Sequence, residues 1–314
     1  MISGFLITKN LCQEYISNAN INLRNFYIRR FSRLYPSLLL VVVVTVIYLL
    51  VKDDFDSNFR LSVISMLTFT TDLLIWLNLT DVPIYFNYSW SLGVEEQFYL
   101  IWPVVLISIL RMRHIRSFFF FMVLGLMFSF SYLWQFTHTG VGHSPESLYF
   151  VPFSHFGALA GGCLVALPSS SDFFANFKMR FPKIFSFIGW SCGLTLLYLA
   201  HYASPIPLKL DESSLLLCTL SSIMLVAYLV NHSDSFLTKV IGSRIPVFIG
   251  RLSYTLYLFN IIFFHFYMDL MNYSLSESNV IQILLTLLLL IFSCFIIYRF
   301  YQMPLRKYIN RFQS

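Results

Sequence analysis

The sequence predicts an all-α fold, a polytopic transmembrane helix bundle of about eight spans, and three observations predict it. Apolar residues make up 57% of the chain and charged residues only 11%, less than half the charged share of a water-soluble domain. The apolar residues gather in runs long enough for helices to cross a bilayer. The loops between those runs alternate in charge, every second one being basic. The 34 Phe and 19 Tyr suit the same setting, because aromatic rings fill helix contacts and collect at membrane surfaces.

The candidate spans are 36–51, 97–110, 117–134, 150–167, 184–200, 213–230, 247–268 and 280–300. A crossing needs about 20 residues for about 30 Å of hydrocarbon, so the shortest runs are expected to extend into their flanks. Arg24, Arg29, Arg30 and Arg33 precede the first run, and Arg111, Arg113 and Arg116 follow the second. Lys178, Arg180 and Lys183 follow the fourth, Lys239 and Arg244 the sixth, and Arg306, Lys307 and Arg311 the eighth. The intervening loops carry Asp53, Asp54 and Asp56, then Glu146, then Asp211 and Glu212, then Asp269 and Glu277. Basic loops stay in the cytoplasm, so both ends of the chain are expected there. These loops also account for the net charge of +6, and no nucleic-acid partner is expected.

Leu61–Leu79 is long enough to span but is interrupted by Asp72, Asn78 and several Ser and Thr. If it crossed, the first two arginine clusters would fall on opposite sides, against the charge rule. It is therefore expected to be a re-entrant or surface segment on the outer side. Met1–Thr8 is an apolar octet followed by a polar stretch, too short to cross and without the pattern of a signal peptide. It reads as the tail of a helix. The five Cys are odd in number and lack metal-ligand spacing, so neither a disulfide framework nor a metal site is expected. No repeat, linker or low-complexity run divides the chain, which reads as one domain over 1–314.

Two segments could carry chemistry. In Phe26–Pro36, Arg29 and Arg33 are four apart and Arg30 and Arg33 three apart, so on a helix their guanidinium groups share a face that can clamp phosphates. The competing reading is an anchor of arginines reaching lipid headgroups. In Trp90–Pro103, Glu95 and Glu96 stand at the outer edge of a span. A carboxylate at that depth is paired or faces a cavity with a duty, or simply favours the first turn of its helix through the macrodipole. His138, His143 and His155 lie around one outer loop near Glu146 and read first as solvated. No GxSxG elbow, HExxH or phosphate-binding glycine loop occurs.

These segments resemble the membrane-bound acyltransferase 3 family, multi-span bacterial proteins that O-acylate surface glycans. Ser3–Thr8 is similar to the family's SGFLIT. Phe26–Pro36 is similar to its FxxxRxxRIxP, with Arg30 and Arg33 at the arginine positions, and Trp90–Pro103 to its WSLxxExxFYxxxP, with Glu95 at the acidic position. Weaker likenesses lie at Gly157–Leu164 and Gly250–Leu258. The resemblance implies transfer of an acyl group, acetyl being expected, from cytoplasmic acyl-CoA to a hydroxyl of an envelope glycan such as O-antigen or exopolysaccharide, or of a lipid-linked sugar. Acyl-CoA would be a co-substrate and no cofactor would be permanently bound. The implied roles are Arg30, Arg33 and Arg29 for acyl-CoA, Glu95 for catalysis, and Trp90, Ser91 and Tyr99 on the acceptor side or in structure. The implied location is the bacterial inner membrane.

The chain also departs from the pattern. The family carries, just upstream of SGFLIT, a basic residue and eleven positions later the histidine held to be catalytic. None of the seven His here has Lys or Arg at that spacing. The sequence begins at the motif, as if the family's first two spans were missing, which predicts that these 314 residues alone transfer no acyl group. Asn260 stands where the family usually has His, Gln302 where an acidic residue is usual, and Ser154 where Arg is expected. Two other readings therefore stay open: an inactive relative with a scaffold role, and a transporter of another class. A transporter should show buried charges and inverted repeats, and neither is evident in the sequence.

Overall fold

The computed structural model describes residues 1–53, 58–112, 116–138, 150–202, 212–271 and 279–311, and among these every regular element is a helix. In chain order they are α1 (Ile2–Asn18), α2 (Leu23–Lys52), α3 (Phe59–Thr68), α4 (Thr71–Trp76), α5 (Ile84–Asn87), α6 (Trp90–Leu110) and α7 (Arg116–His138). After a 3-10 turn (Pro152–His155) come α8 (Phe156–Val165), α9 (Pro168–Arg180), α10 (Pro182–Tyr202), α11 (Glu212–Asn231), α12 (Phe236–Ile241), α13 (Arg244–Leu270) and α14 (Val280–Ile296). A π segment (Ile297–Gln302) then leads into α15 (Met303–Asn310). The loop residues Asp54, Asp56, Arg113, His143, Glu146, Asp211 and Glu277 lie outside the described residues.

Five segments are long and apolar enough to cross a membrane: Leu23–Lys52, Ile84–Leu110, Pro182–His201, Arg244–Leu270 and Val280–Ile309. Their outward faces are lipid-like, with Leu284 55%, Leu288 64% and Phe292 60% exposed along α14. The runs at 117–134 and 213–230 coincide closely with the shorter apolar helices Phe118–Trp134 and Leu215–Asn231. The run at 150–167 differs from expectation. Pro152 starts a 3-10 turn and Pro168 ends the segment, leaving α8 with 10 residues, a rise of about 15 Å and half a bilayer. The Leu61–Leu79 stretch holds two short helices rather than one long one. Phe69 breaks it in the left-handed region at φ 58, and neither piece could cross. The N-terminal octet does not stop at Thr8, because α1 runs to Asn18 and ends where Ala19 turns left-handed.

The chain divides into two compact units that interleave along the sequence, which is why composition shows no linker. The first holds Met1–Ile21, Asp72–Leu79 and Trp90–Val240. In it α1 and α8 meet backbone to backbone. A Cβ at Gly4 would stand 2.3 Å from the Leu159 carbonyl oxygen, and one at Gly162 would stand 2.0 Å from the Met1 oxygen and 2.8 Å from the Phe5 nitrogen. Such an approach allows only glycine. Phe5, Val165, Phe174, Phe185, Ala227 and Tyr228 form a buried cluster beside this contact.

The second unit holds Asn22–Thr71, Thr80–Ser89 and Ile241–Ser314. Its axis is α2, whose 30 residues rise about 45 Å, more than a hydrocarbon core. Asn22 caps it by accepting from the Asn25 amide at 3.0 Å. Buried hydroxyls tie the short elements together: Ser65 to Thr71 at 3.2 Å and Thr71 to Ser89 at 2.8 Å. Tyr88 donates to the Leu258 carbonyl at 2.6 Å, and Tyr257 donates back to the Tyr88 carbonyl.

Candidate functional site

In the second unit the arginine segment is continuous helix, so Arg29, Arg30 and Arg33 do share the face that their spacing predicts. Arg29 and Arg33 are exposed and Arg30 is half-buried. What fixes this turn lies far away in sequence. Pro36 sits inside α2; it has no N–H to give to the Ser32 carbonyl one turn back, and its ring crowds that carbonyl. The next two carbonyls, those of Arg33 and Leu34, are taken by side chains. Gln302 Nε2 donates to the Arg33 carbonyl at 3.2 Å and the Tyr254 hydroxyl donates to the Leu34 carbonyl at 3.0 Å. Gln302 is held in turn by the buried Thr255 hydroxyl, which donates to its Oε1 at 2.8 Å. The π segment delivers Gln302 to this point. Pro304 lies just beyond it, in the first turn of α15, where its missing N–H costs no helical bond.

The weak motif at Gly250–Leu258 and the Gln302 departure thus act on one object, the backbone beneath Arg33. An amide at position 302 can donate to a carbonyl while accepting from Thr255, whereas an ionised carboxylate there could only accept.

In the first unit the Trp90–Pro103 segment is α6. Tyr99, buried, donates its hydroxyl to Glu95 Oε2 at 2.9 Å, one turn apart. Glu95 and Ser91 are half-buried. Trp90 packs its ring against His155 at 5.1 Å and Phe150 at 5.3 Å, so one of the three histidines singled out above does adjoin this motif. His138 ends α7, and His143 lies outside the described residues. Trp102 stacks on Phe98 at 5.5 Å and donates its indole N–H to the Thr8 hydroxyl at 2.8 Å. Thr8 closes the SGFLIT motif, so that motif's two ends are structural: Gly4 admits α8 and Thr8 receives α6.

Sequence reasoning treated Asp72 only as an interruption. Its carboxylate is completely buried and accepts from Gln97 Nε2 at 3.1 Å and 2.9 Å, one distance to each oxygen. Burial pushes this carboxyl up to about 6, against the Gln97 amide and the nearby backbone N–H groups, which favour the charged form. A lone acid in an apolar run, with an amide inside a second motif, was the available signal. Pairing them required the fold. Glu95, held by Tyr99, is a carboxylate able to take or pass a proton, and the arginine face of the other unit is able to hold phosphates.

The acyltransferase 3 family model, described as an acyltransferase domain, matches residues 1–299. The chain is 25% identical to the peptidoglycan O-acetyltransferase OatA of Listeria monocytogenes over 100% of its own length and 51% of the relative's. It is 27% identical to the O-acetyltransferase OatA of Staphylococcus aureus (strain NCTC 8325 / PS 47), over 98% of this chain and 51% of that one. A protein of Staphylococcus aureus (strain COL) is 29% identical over 98% of this chain. The chain spans about half the length of these relatives. No solved structure matches it.

Proposed function

We propose, from the premise that this chain belongs to the acyltransferase 3 family, that it serves as a membrane O-acetyltransferase acting between cytoplasmic acetyl-CoA and a hydroxyl of an envelope glycan. The observation that carries the reading is the family match across nearly the whole chain, together with an arginine face whose backbone is held by Tyr254 and Gln302. Coenzyme A is polyanionic, and Arg30, Arg33 and Arg29 offer the charge-assisted bonds that phosphates seek. In the reaction the acceptor oxygen bonds to the acyl carbon, the hydroxyl proton passes to a base, the carbon–sulfur bond breaks, and coenzyme A leaves as the thiolate, which takes that proton to become the thiol. Glu95 is the carboxylate proposed for proton handling, with Trp90, Ser91 and Tyr99 supporting the acceptor side or the local structure.

The alternation of basic and acidic loops supports a cytoplasmic position for both ends and for the arginine turn. The relatives are bacterial, which supports the cytoplasmic membrane as the location. The names of the two OatA relatives favour an acetyl group, and the Listeria one favours peptidoglycan among the acceptors. The test is transfer of labelled acetyl groups from acetyl-CoA to envelope glycans in membranes carrying the chain extended through any in-frame upstream sequence, since these 314 residues alone are expected to transfer none. Label on the glycan that depends on Glu95 and on Arg30 or Arg33 supports the reading. Label equal to that of membranes lacking the protein removes it.

A further inference from the structure

We propose that the end of the second unit opposite its arginines carries a binding site for an uncharged glycan, built from Tyr48, Lys52, Tyr85, His265 and Asp269. The ligand class rests on the O-acetyl-transfer reading; the site rests on its own geometry. Between Arg33 and Lys52, α2 rises about 28 Å, close to the thickness of the hydrocarbon core. The arginines and this cluster therefore stand at opposite membrane surfaces. Phosphate chemistry at one surface leaves the other for the acceptor.

The cluster is tightly connected. The Tyr48 hydroxyl donates to Asp269 Oδ2 at 2.6 Å, and Lys52 Nζ reaches the same oxygen at 2.8 Å. Tyr85 meets the Tyr48 ring edge-on at 5.8 Å and the His265 ring edge-on at 5.2 Å. Edge-to-face pairs, unlike parallel stacks, do not cover each other's faces fully. His265 Nδ1 lies 2.9 Å from the Ile261 carbonyl oxygen. A carbonyl only accepts, so Nδ1 carries the proton and Nε2 of the neutral ring carries the lone pair. Lys52 and Asp269 are 45% and 41% exposed, and Tyr48, Tyr85 and His265 are half-buried, so a ligand can reach all five.

Those features match a sugar. A pyranose has an apolar C–H face that suits the negative face of an aromatic ring, and hydroxyls that both donate and accept. His265 Nε2 and the Asp269 carboxylate accept, and Lys52 donates. Because Lys52 and Asp269 neutralise one another, the cluster has no spare cation to draw a phosphate. A bare ion pair at a span end would need neither the oriented histidine nor the flanking tyrosine rings.

The experiment uses the protein in lipid nanodiscs and measures binding of a soluble tetramer of β-1,4-linked N-acetylglucosamine, with acetyl-CoA binding measured in parallel as a report of the fold. His265→Phe keeps a ring and removes the acceptor nitrogen; Tyr85→Ala removes a ring. Both should weaken tetramer binding by about tenfold or more with acetyl-CoA affinity unchanged, and His265→Gln, whose amide oxygen can accept, should recover part of the loss. Failure of the unaltered protein to bind the tetramer, or equal binding by His265→Phe and Tyr85→Ala, overturns the site. If His265-dependent binding occurs without acetyl transfer, the site stands and the transfer reading falls. If transfer proceeds with the same acceptor KM in His265→Phe, the transfer reading stands and the site falls.

Discussion

The two units use their motif residues in opposite ways. In the first, the motifs remove atoms: Gly4 and Gly162 let α1 and α8 touch through their backbones, and Thr8 and Trp102 close the third side with one buried bond. In the second, side chains add bonds: Tyr254 of the weaker motif and Gln302, which departs from the family pattern, reach the Leu34 and Arg33 carbonyls just before Pro36. A contact made by absence tolerates no added carbon, because a packed backbone has nowhere to go. A contact made by a side chain can be lost at the cost of one hydrogen bond. The first unit should therefore fail through stability and the second through the precision of its arginine face.

That contrast is broken most directly at Gly162. Gly162→Ala places a methyl 2.0 Å from the Met1 oxygen, forcing α1 off α8, and should cost about 3 kcal/mol or more. Detergent-solubilised protein should lose most of its monodisperse fraction in size-exclusion chromatography. A variant as stable as the parent would mean that these helices do not touch.

Asp72 sharpens the comparison through pH. Its folded-state carboxyl is raised to about 6 from the ordinary 3.8, so the folded state holds its proton more tightly than the unfolded state does. The penalty is fully present above pH 6 and disappears as pH falls through 6 towards 4. Asp72→Asn keeps an acceptor for Gln97 and removes the buried charge, so it should stabilise the protein at pH 7.5 by about 2–3 kcal/mol. Thermal unfolding should show the advantage shrinking below pH 6. An advantage independent of pH would place the charge elsewhere.

The smallest effect is expected in the second unit. Tyr254→Phe removes the bond to the Leu34 carbonyl and should cost about 1 kcal/mol, leaving insertion intact. Acetyl-CoA affinity should fall while thermal stability barely moves, the reverse of the Gly162 result. Affinity unchanged in this variant would make the Tyr254 bond a matter of packing alone.

Much of this was legible in the sequence, and the remainder was hidden for definite reasons. Composition and loop charge give a helical membrane protein, and the polar interruptions of Leu61–Leu79 argue against a crossing there, though the break itself falls at Phe69. The arginine spacing survives because a helix converts spacing into a shared face. The short α8 was not legible, since a run of apolar residues does not say whether Pro152 and Pro168 will cut it. The extent of α1 was missed because Lys9–Asn18 is polar, and periodicity under-reads a polar helix. Asp72 with Gln97, and Gln302 with Arg33, are pairs separated by 25 and 269 residues. No local pattern records such partners.

If the arginine face of α2 holds the acyl donor, equilibrium binding of acetyl-CoA to the purified protein depends on it directly. Arg30→Ala and Arg33→Ala should each lose about 1.5–3 kcal/mol of binding, ten- to a hundredfold in affinity, while inserting normally into the membrane. Affinity unchanged in both variants would contradict the claim and return these arginines to the role of lipid-headgroup anchors.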